Sequence, residues 1–283
     1  GCTSLASIDL PATLTSVGSH AFLHCSSLAA INLPAALTSI SRGAFSGCSS
    51  LTSVTLPAGL TAIGSAAFSS CSSLATVTLP AGLTSVGNSA FYRCSALSSV
   101  TFPAGLTSIG AEAFYSCGSL SSVAFSGSSI AHLGDFAFGC CASLRSVTLP
   151  DGLAAIGINA FNGCTSLARV RLPATCSTIG DFAFFGCLAL DKVAVPVDEP
   201  FHWAFGPHTR VVHQTPARMR AFARWYGAVD LVLAYKRCRP GLLGWLERAQ
   251  IRLGAYEQGG VARERDREEF EQNFLKEPDR TEV

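Results

Sequence analysis

The chain has 283 residues, a formal net charge of +1 and charged residues at only 14% of its positions, while apolar residues make up 48%. This composition is sufficient for a continuous core, and it provides no overall charge that would attract nucleic acid or an anionic membrane. No stretch approaches the roughly 18 to 20 uncharged apolar residues of a membrane-spanning helix, and no signal peptide is recognisable. Because the net charge is only +1, we expect no nucleic-acid partner.

A repeat of 23 residues organises the chain from its first residues. Such a period is typical of solenoids, in which each unit packs only on its neighbours. One residue is inserted near Ser128, and the period then resumes. Nine cysteines mark the nine units: Cys2, Cys25, Cys48, Cys71, Cys94, Cys117, Cys141, Cys164 and Cys187.

Each unit begins with a predicted short strand. In the third unit, Val54 and Leu56 fall on one side of an extended chain. Ser53 and Thr55 fall on the other side, which is the period of two that indicates a half-buried strand. Pro57 ends the strand because proline has no N–H to donate to a ladder. We expect the apolar side to face the core.

A second apolar pair and an Ala-Phe dipeptide complete each unit. In the third unit the pair is Leu60 and Ile63, followed by Gly64, and it indicates the opposite side of the coil. The dipeptide predicts one helical turn with phenylalanine packed inward. It occurs eight times, as Ala21-Phe22, Ala44-Phe45, Ala67-Phe68, Ala90-Phe91, Ala113-Phe114, Ala137-Phe138, Ala160-Phe161 and Ala183-Phe184. Since one unit cannot bury its own apolar side, the units must stack, and every repeated position becomes a ladder.

The unit C-x-x-L-x-x-V-x-L-P-x-x-L-x-x-I-G-x-x-A-F resembles the BspA-type leucine-rich repeats over residues 1–196. This resemblance implies a curved solenoid and roles in protein binding or cell-surface adhesion, mostly in secreted or surface proteins. The unit lacks the asparagine ladder of the common leucine-rich repeat, since Gly59, Gly82 and Gly105 stand near its expected place. The predicted fold is a repeat solenoid of leucine-rich-repeat-like parallel β coils with short helical turns, followed by an α-helical C-terminal segment.

Three parts are predicted: a solenoid of about nine units over residues 1–196, a degenerate capping coil over 197–215, and a helical C-terminal segment with a charged tail over 216–283. After Pro216, apolar residues recur at helical spacing, which indicates two amphipathic helices. A capping role is favoured for them over docking of a partner helix or a weak membrane contact. The chain begins inside a unit, and its only methionine is Met219. We therefore expect repeats to be missing before Gly1.

The cysteines favour a buried reduced ladder. Nine of the twelve occupy the repeated position, and Cys140, Cys176 and Cys238 lie outside it. A disulfide needs two converging Cβ vectors, whereas the repeated cysteines stand one per coil with parallel side chains. Packing as small buried residues is therefore favoured over a disulfide framework. A metal site is disfavoured, because Cys140 and Cys141 have only His132 near them in sequence.

No catalytic constellation can be nominated. None of the six histidines belongs to a motif with a nucleophile and an acidic orienting residue. His20 and His24 have the spacing of a helical metal motif, but no glutamate follows His20 and no third ligand is apparent, so surface polar residues are favoured. No phosphate-binding loop motif is present. We expect no cofactor, no metal and no enzymatic activity.

The outward side of the predicted strands is the candidate interaction face. Hydroxyl groups dominate it, and basic residues gather at its C-terminal end, where they would favour anions or carboxylates. Alternatively, the hydroxyls simply suit solvated strands, or they form an ice-binding lattice, which Ala30, Asn32 and Arg171 interrupt. The candidate residues are Ser53, Thr55, Thr76, Thr78, Ser99, Thr101, Arg145, Ser146, Thr148, Arg169, Arg171 and Lys192.

These patterns favour a non-enzymatic scaffold that binds a protein or a glycan through the solenoid face. The alternative is a structural adhesion or spacer protein of the cell surface, anchored by its C-terminal helices. The reduced cysteine ladder favours an intracellular compartment, whereas the family resemblance favours the cell surface or secretion. The sequence leaves the compartment, the ligand and the oligomeric state open.

Overall fold

The computed structural model describes residues 1–127, 129–196 and 203–213. The helices and the charged tail predicted for residues 216–283 lie outside the described residues. Seventeen short strands follow one another along the described chain: β1 Ser16–Val17, β2 Ala30–Asn32, β3 Ser39–Ile40, β4 Ser53–Thr55, β5 Ala62–Ile63, β6 Thr76–Thr78, β7 Ser85–Val86, β8 Ser99–Phe102, β9 Ser108–Ile109, β10 Ser122–Phe125, β11 His132–Leu133, β12 Ser146–Thr148, β13 Ala155–Ile156, β14 Arg169–Arg171, β15 Thr178–Ile179, β16 Lys192–Val195 and β17 Arg210–His213.

The strands form parallel sheets on two sides of a solenoid. The even-numbered strands β2 to β14 make a seven-stranded sheet, and the odd-numbered strands β1 to β15 make an eight-stranded sheet. Strands β16 and β17 pair with each other in a separate parallel sheet. Equivalent residues of successive units are in register, as Val54 is with Val77. The predicted parallel β solenoid and its residue ladders are therefore confirmed.

The continuous solenoid is shorter than the nine units counted in the sequence. The seven-stranded sheet corresponds to about seven coils, because it begins at β2 and ends at β14. In the first unit, the segment equivalent to β2 is not a strand, and Leu5, Ile8 and Leu10 are only partly buried there. At the other end, β16 of the last unit pairs with β17 and not with the seven-stranded sheet.

The third side of each coil, which contains the Ala-Phe dipeptide, consists of successive turns. Ala67 N–H donates to the Gly64 carbonyl three residues earlier, but Phe68 N–H donates to Ala90 of the next coil at 2.8 Å. This alternation puts residues on both sides of the dipeptide in the left-handed region, with Ala66 at φ 54° and Ser70 at φ 59°. The described residues contain no helix. The predicted helical turn is thus not confirmed, since neighbouring coils accept the N–H groups that a helix would use internally.

The core is a set of ladders that run along the solenoid. Phe45, Phe68, Phe91, Phe114, Phe138, Phe161 and Phe184 are fully buried, which confirms the inward packing of phenylalanine. Their rings stack on the next phenylalanine with centroids 5.1 to 5.5 Å apart. Phe205 continues the stack, 5.2 Å from Phe184, at the C-terminal end of the described core.

Hydrogen bonds between coils differ in direction with position in the coil. Within the parallel strands, N–H groups donate alternately to the preceding and to the following coil. Just outside β7, Thr84 N–H donates to Thr61 and Gly87 N–H donates to Ile63, both in the preceding coil. On the turn side, donors point to the following coil, as Phe68 N–H does. Each coil is therefore bonded to both neighbours on three sides.

Candidate interaction face

The outward side of the even-numbered strands presents two columns of side chains. In β4 the burial alternates, with Ser53 and Thr55 exposed on either side of buried Val54. Parallel pairing in register repeats this arrangement in the next coils, as Ser53 lies beside Thr76 and Thr55 beside Thr78. All twelve residues predicted for the interaction face are exposed. Eleven lie on strands, and Arg145 lies one position before β12.

The hydroxyls within the strands of this face differ from the hydroxyls of residues that come just before a strand. Beside the odd-numbered strands, Thr61, Thr84 and Thr107 each donate their side-chain hydroxyl to a backbone carbonyl of the preceding coil, at 3.3, 3.0 and 2.9 Å. Within the described part of the chain, no such bond engages the hydroxyls of Thr76 and Thr78 or their column neighbours. The hydroxyls of the strand face are therefore free to bond water or a ligand.

The C-terminal end of the strand face carries a basic cluster, which we define as Arg145, Arg169, Arg171, Lys192 and Arg210. Strand pairing places Arg169 beside Ser146 and Arg171 beside Thr148. Lys192 does not pair in the seven-stranded sheet, but lies beside Arg210 in the pair of β16 and β17. Strand β14 is next to β16, so the basic side chains continue from one sheet to the other.

Sequence reasoning missed Arg210 as a member of this cluster. It comes only 18 residues after Lys192, so a search at the 23-residue period passes over it. The signal that could have located it is the short β-branched run from 210 to 213, which resembles the strand segment of a unit. The same pairing places Val212 beside Ala194, which adds a small apolar strip next to the cluster.

The buried cysteines form a ladder within the core. Eight of the nine repeated cysteines are buried and free, whereas Cys2 is exposed. Their packing as small buried residues is confirmed, and the structure adds a hydrogen bond that the sequence did not predict. Each thiol from Cys48 onward donates to the carbonyl of a phenylalanine one coil earlier, as Cys94 does to Phe68 at 3.1 Å. These bonds join adjacent coils within the core.

Burial governs the acidity of these thiols. Removal from solvent is the largest cause of the raised pKa values, and it raises the pKa of Cys117 from 9.0 to about 12. The pKa of Cys48 rises to about 11, again mainly by burial and also by the neighbouring Cys25. Thiolate is the nucleophilic and metal-binding form, so these cysteines are suited to packing rather than to chemistry.

His20 and His24, which have the spacing of a helical metal motif, pack against the next coil. His20 and His24 both adopt left-handed backbone conformations, at φ 57° and 55°. Their rings lie over Gly43 and Gly47 of the next coil, where a side chain on either glycine would collide with them. No group of three or more histidine, cysteine or acidic residues in the described ranges is placed to hold a metal ion. Among the same residues, no helix has the length and apolar character needed to cross a membrane.

Comparison with known proteins identifies the repeat. The search of curated proteins found no match. Similar solved structures include a leucine-rich repeat protein from Bacteroides ovatus ATCC 8483, 24% identical, covering 76% of this chain and 85% of its own, with a TM-score of 0.42. The leucine-rich repeat protein of T. pallidum is 30% identical over 65% of this chain and 78% of its own, with a TM-score of 0.49. A leucine-rich cell surface protein from Faecalibacterium prausnitzii A2-165 is 23% identical. The match covers 76% of this chain and 81% of that protein, with a TM-score of 0.43.

A family model described as a BspA-type leucine-rich repeat region of six copies matches residues 1–120 and 84–200. Those ranges include every unit marked by a repeated cysteine. The chain therefore belongs to the BspA-type leucine-rich repeat family.

Proposed function

We propose that this leucine-rich-repeat chain is a non-enzymatic scaffold that binds a partner protein through its strand face. The main support is that its exposed columns consist of hydroxyls within strands, which no bond to another coil engages in the described residues, unlike the hydroxyls of residues that precede a strand. Thr84 and its equivalents bond the preceding coil, whereas Thr78 and its equivalents have no such bond within the described part of the chain. A regular set of hydroxyls on a rigid parallel sheet provides many fixed donors and acceptors for a partner.

The packing beneath the face also supports binding. Val54, Val77 and Val100 are buried directly under the exposed columns, and the phenylalanine stack lies in the same core. The face therefore belongs to well-packed coils, which hold their exposed side chains in place before a partner arrives. Prearrangement of this kind reduces the ordering cost of binding.

Site-specific photo-crosslinking tests the proposal. A photoreactive phenylalanine derivative is introduced at Thr78 on the strand face, or at Thr84 on the opposite sheet as a matched control, in the full chain. Each variant is exposed to extracts of the producing organism. We expect protein adducts at position 78 that are absent at position 84, because Thr78 lies in the two columns of unbonded hydroxyls, whereas the Thr84 hydroxyl already donates to Thr61 of the preceding coil.

A competition experiment tests whether the adducts at position 78 come from specific binding. Excess unmodified chain should abolish the adducts at position 78, whereas a competitor carrying Thr55→Lys and Thr101→Lys should not, since added bulk and charge block the face. Equal labelling at both positions, or adducts that the unmodified chain does not displace, would contradict the proposal. Such an outcome would favour the alternative of a spacer whose repeats contact no specific partner.

A further inference from the structure

We propose that the basic cluster binds an extended peptide segment of the partner in which acidic and apolar residues alternate. This inference rests on the proposed function, since it names the kind of partner that the strand face recognises. Its basis is the arrangement of charge and apolar surface that strands β14, β16 and β17 create together. No single unit of the repeat contains that arrangement.

The cationic column is the first part of the argument. Arg169 on β14, Lys192 on β16 and Arg210 on β17 occupy equivalent outward positions on three neighbouring strands. Neighbouring strands lie about 4.8 Å apart, so this column extends over roughly 10 Å along the solenoid. Asp191 is an exposed acidic residue at this end, and it offsets part of the positive charge. The excess of cations still favours a partner with several negative charges.

The second column differs from the first. Arg171 on β14 is followed by Ala194 on β16 and by Val212 on β17. Ala194 is exposed and Val212 is half-buried, so a small apolar strip runs beside the cations. Outward positions two residues apart on a strand are separated by about 6.6 Å. The two columns therefore offer a charged side and an apolar side to a chain that lies between them.

An extended peptide fits this surface because its side chains project alternately to opposite sides. With its backbone between the columns, acidic residues reach Arg169, Lys192 and Arg210, and the intervening apolar residues contact Ala194 and Val212. At about 3.3 Å per residue, five residues extend past the whole cationic column. Arginine adds selectivity for carboxylates, because its planar guanidinium donates two parallel hydrogen bonds.

The apolar strip argues for a peptide over a sulfated glycan. Sulfate groups would satisfy the cations, but a glycan chain has no aliphatic side chains to place against Ala194 and Val212. A peptide satisfies both columns at once. In this account, the basic end of the strand face recognises the amino-acid sequence of the partner. The hydroxyl columns have a less selective role.

Fluorescence anisotropy with defined probes tests this inference on the full chain. The main probe is a labelled peptide in which glutamate alternates with valine. One comparison peptide replaces glutamate by glutamine, a second replaces valine by serine, and a sulfated oligosaccharide of equal charge represents the glycan class. We expect the glutamate–valine peptide to bind most tightly and to weaken as salt is added, because exposed charges are screened.

Substitutions in the basic cluster test whether the peptide binds there. Arg169→Gln with Arg210→Gln should weaken binding of the glutamate–valine peptide about tenfold, the loss expected for two exposed charged contacts. Arg169→Lys with Arg210→Lys should weaken binding less, because charge is kept while the guanidinium fork is lost. The matched control is Arg42→Gln with Arg93→Gln, which removes two exposed arginines from the turn side and should leave affinity unchanged.

Three outcomes overturn the inference. In the first, the peptide does not bind, but position 78 still forms crosslinked adducts that the unmodified chain displaces. That result would reject the acidic-peptide partner and leave the scaffold function intact. Tighter binding of the sulfated oligosaccharide, with the same dependence on Arg169 and Arg210, would assign the cluster to a glycan. Equal loss of affinity in the Arg42 and Arg93 control would show that only net charge matters.

Discussion

Several glycines that follow the second apolar pair of a unit lie directly against the backbone of the preceding coil. A Cβ atom at Gly87 would be 2.6 Å from the Ser65 nitrogen and 2.7 Å from the Gly64 carbonyl carbon. Gly82, in the turn after the preceding strand, has more space, since its nearest neighbour would be the Ala58 oxygen at 3.4 Å. The repeated Ile-Gly pair therefore reflects close stacking of coils, whereas the sequence alone had indicated only that it marks the opposite side of the coil.

This difference predicts opposite outcomes for two similar substitutions. Gly87→Ala should lower the free energy of unfolding by about 1 to 3 kcal/mol, because the coils must move apart to admit the methyl group. Gly82→Ala should be neutral or slightly stabilising, because alanine fits there and restricts the unfolded chain. Urea unfolding followed by circular dichroism measures both. Equal midpoints for the two variants would contradict the steric account.

The thiol ladder gives a second prediction at the residue scale. Cys2 is exposed and Cys140 half-buried, while nine other described cysteines are buried. In a chain with Cys2, Cys140 and Cys238 replaced by alanine, we expect a thiol reagent at pH 8 to react only at the rate of unfolding. The same chain in denaturant, in which nine thiols should react at once, is the control. Rapid native reaction of several thiols would show that the coils open individually.

At the scale of elements, the stacked phenylalanines are the main packing unit between coils. Phe91 is fully buried, with its ring 5.4 Å from Phe68 and 5.2 Å from Phe114. Phe91→Ala should therefore cost about 3 to 5 kcal/mol, through lost burial and the cavity left behind. Tyr92→Ala is the neighbouring control, since Tyr92 is half-buried and stacks only at the surface, on Tyr115. Thermal unfolding of the two variants should differ accordingly, and similar losses would reject the central role of the stack.

The elements also show which parts of the fold the sequence can predict. Strands such as β4 were predictable, because alternation of Val54 with Ser53 and Thr55 depends only on one side being buried. The backbone conformation of the Ala-Phe segment was not predictable, because an inward phenylalanine is compatible with either a helical turn or a turn bonded to another coil. The choice depends on the carbonyl of Ala90, 22 residues away from the Phe68 donor. Local spacing contains no information about that partner.

The candidate site was predictable to a similar extent. Every residue expected on the outer face is exposed, because the period of two along a strand fixes which side chains face solvent. Arg210 was missed, since its pairing with Lys192 depends on a shortened last coil. The contrast between bonded Thr84 and unbonded Thr78 was not predictable either, because both positions have the same residue type and exposure.

At the scale of the whole molecule, the buried thiols make stability depend on alkaline pH. Burial raises the folded-state pKa of Cys117 to about 12, from 9.0 in the unfolded chain. A group whose folded pKa is raised favours the folded state fully below its unfolded pKa and loses that contribution as pH rises toward the folded value. Stability should thus fall between about pH 9 and 12, by up to about 1.4 kcal/mol per pH unit for each such thiol.

Urea midpoints measured from pH 7 to pH 10.5 test this dependence. The midpoint should be nearly constant up to pH 8 and then decline. Cys94→Ala with Cys117→Ala should decline less steeply, because two of the titrating groups are gone. An equal decline in both chains would place the alkaline sensitivity in other groups, such as lysine or tyrosine.

The opposed direction of the hydrogen bonds that flank the strands and of those on the turn side has an electrical consequence. Each peptide group carries a dipole, and in an α-helix these dipoles add to a net partial charge at each end. In this solenoid, the groups that bond Thr84 to Thr61 point one way along the axis, while those that bond Phe68 to Ala90 point the other way. Their dipoles partly cancel. The partial charge at each end of the array is therefore smaller than it would be if every bond between coils pointed the same way.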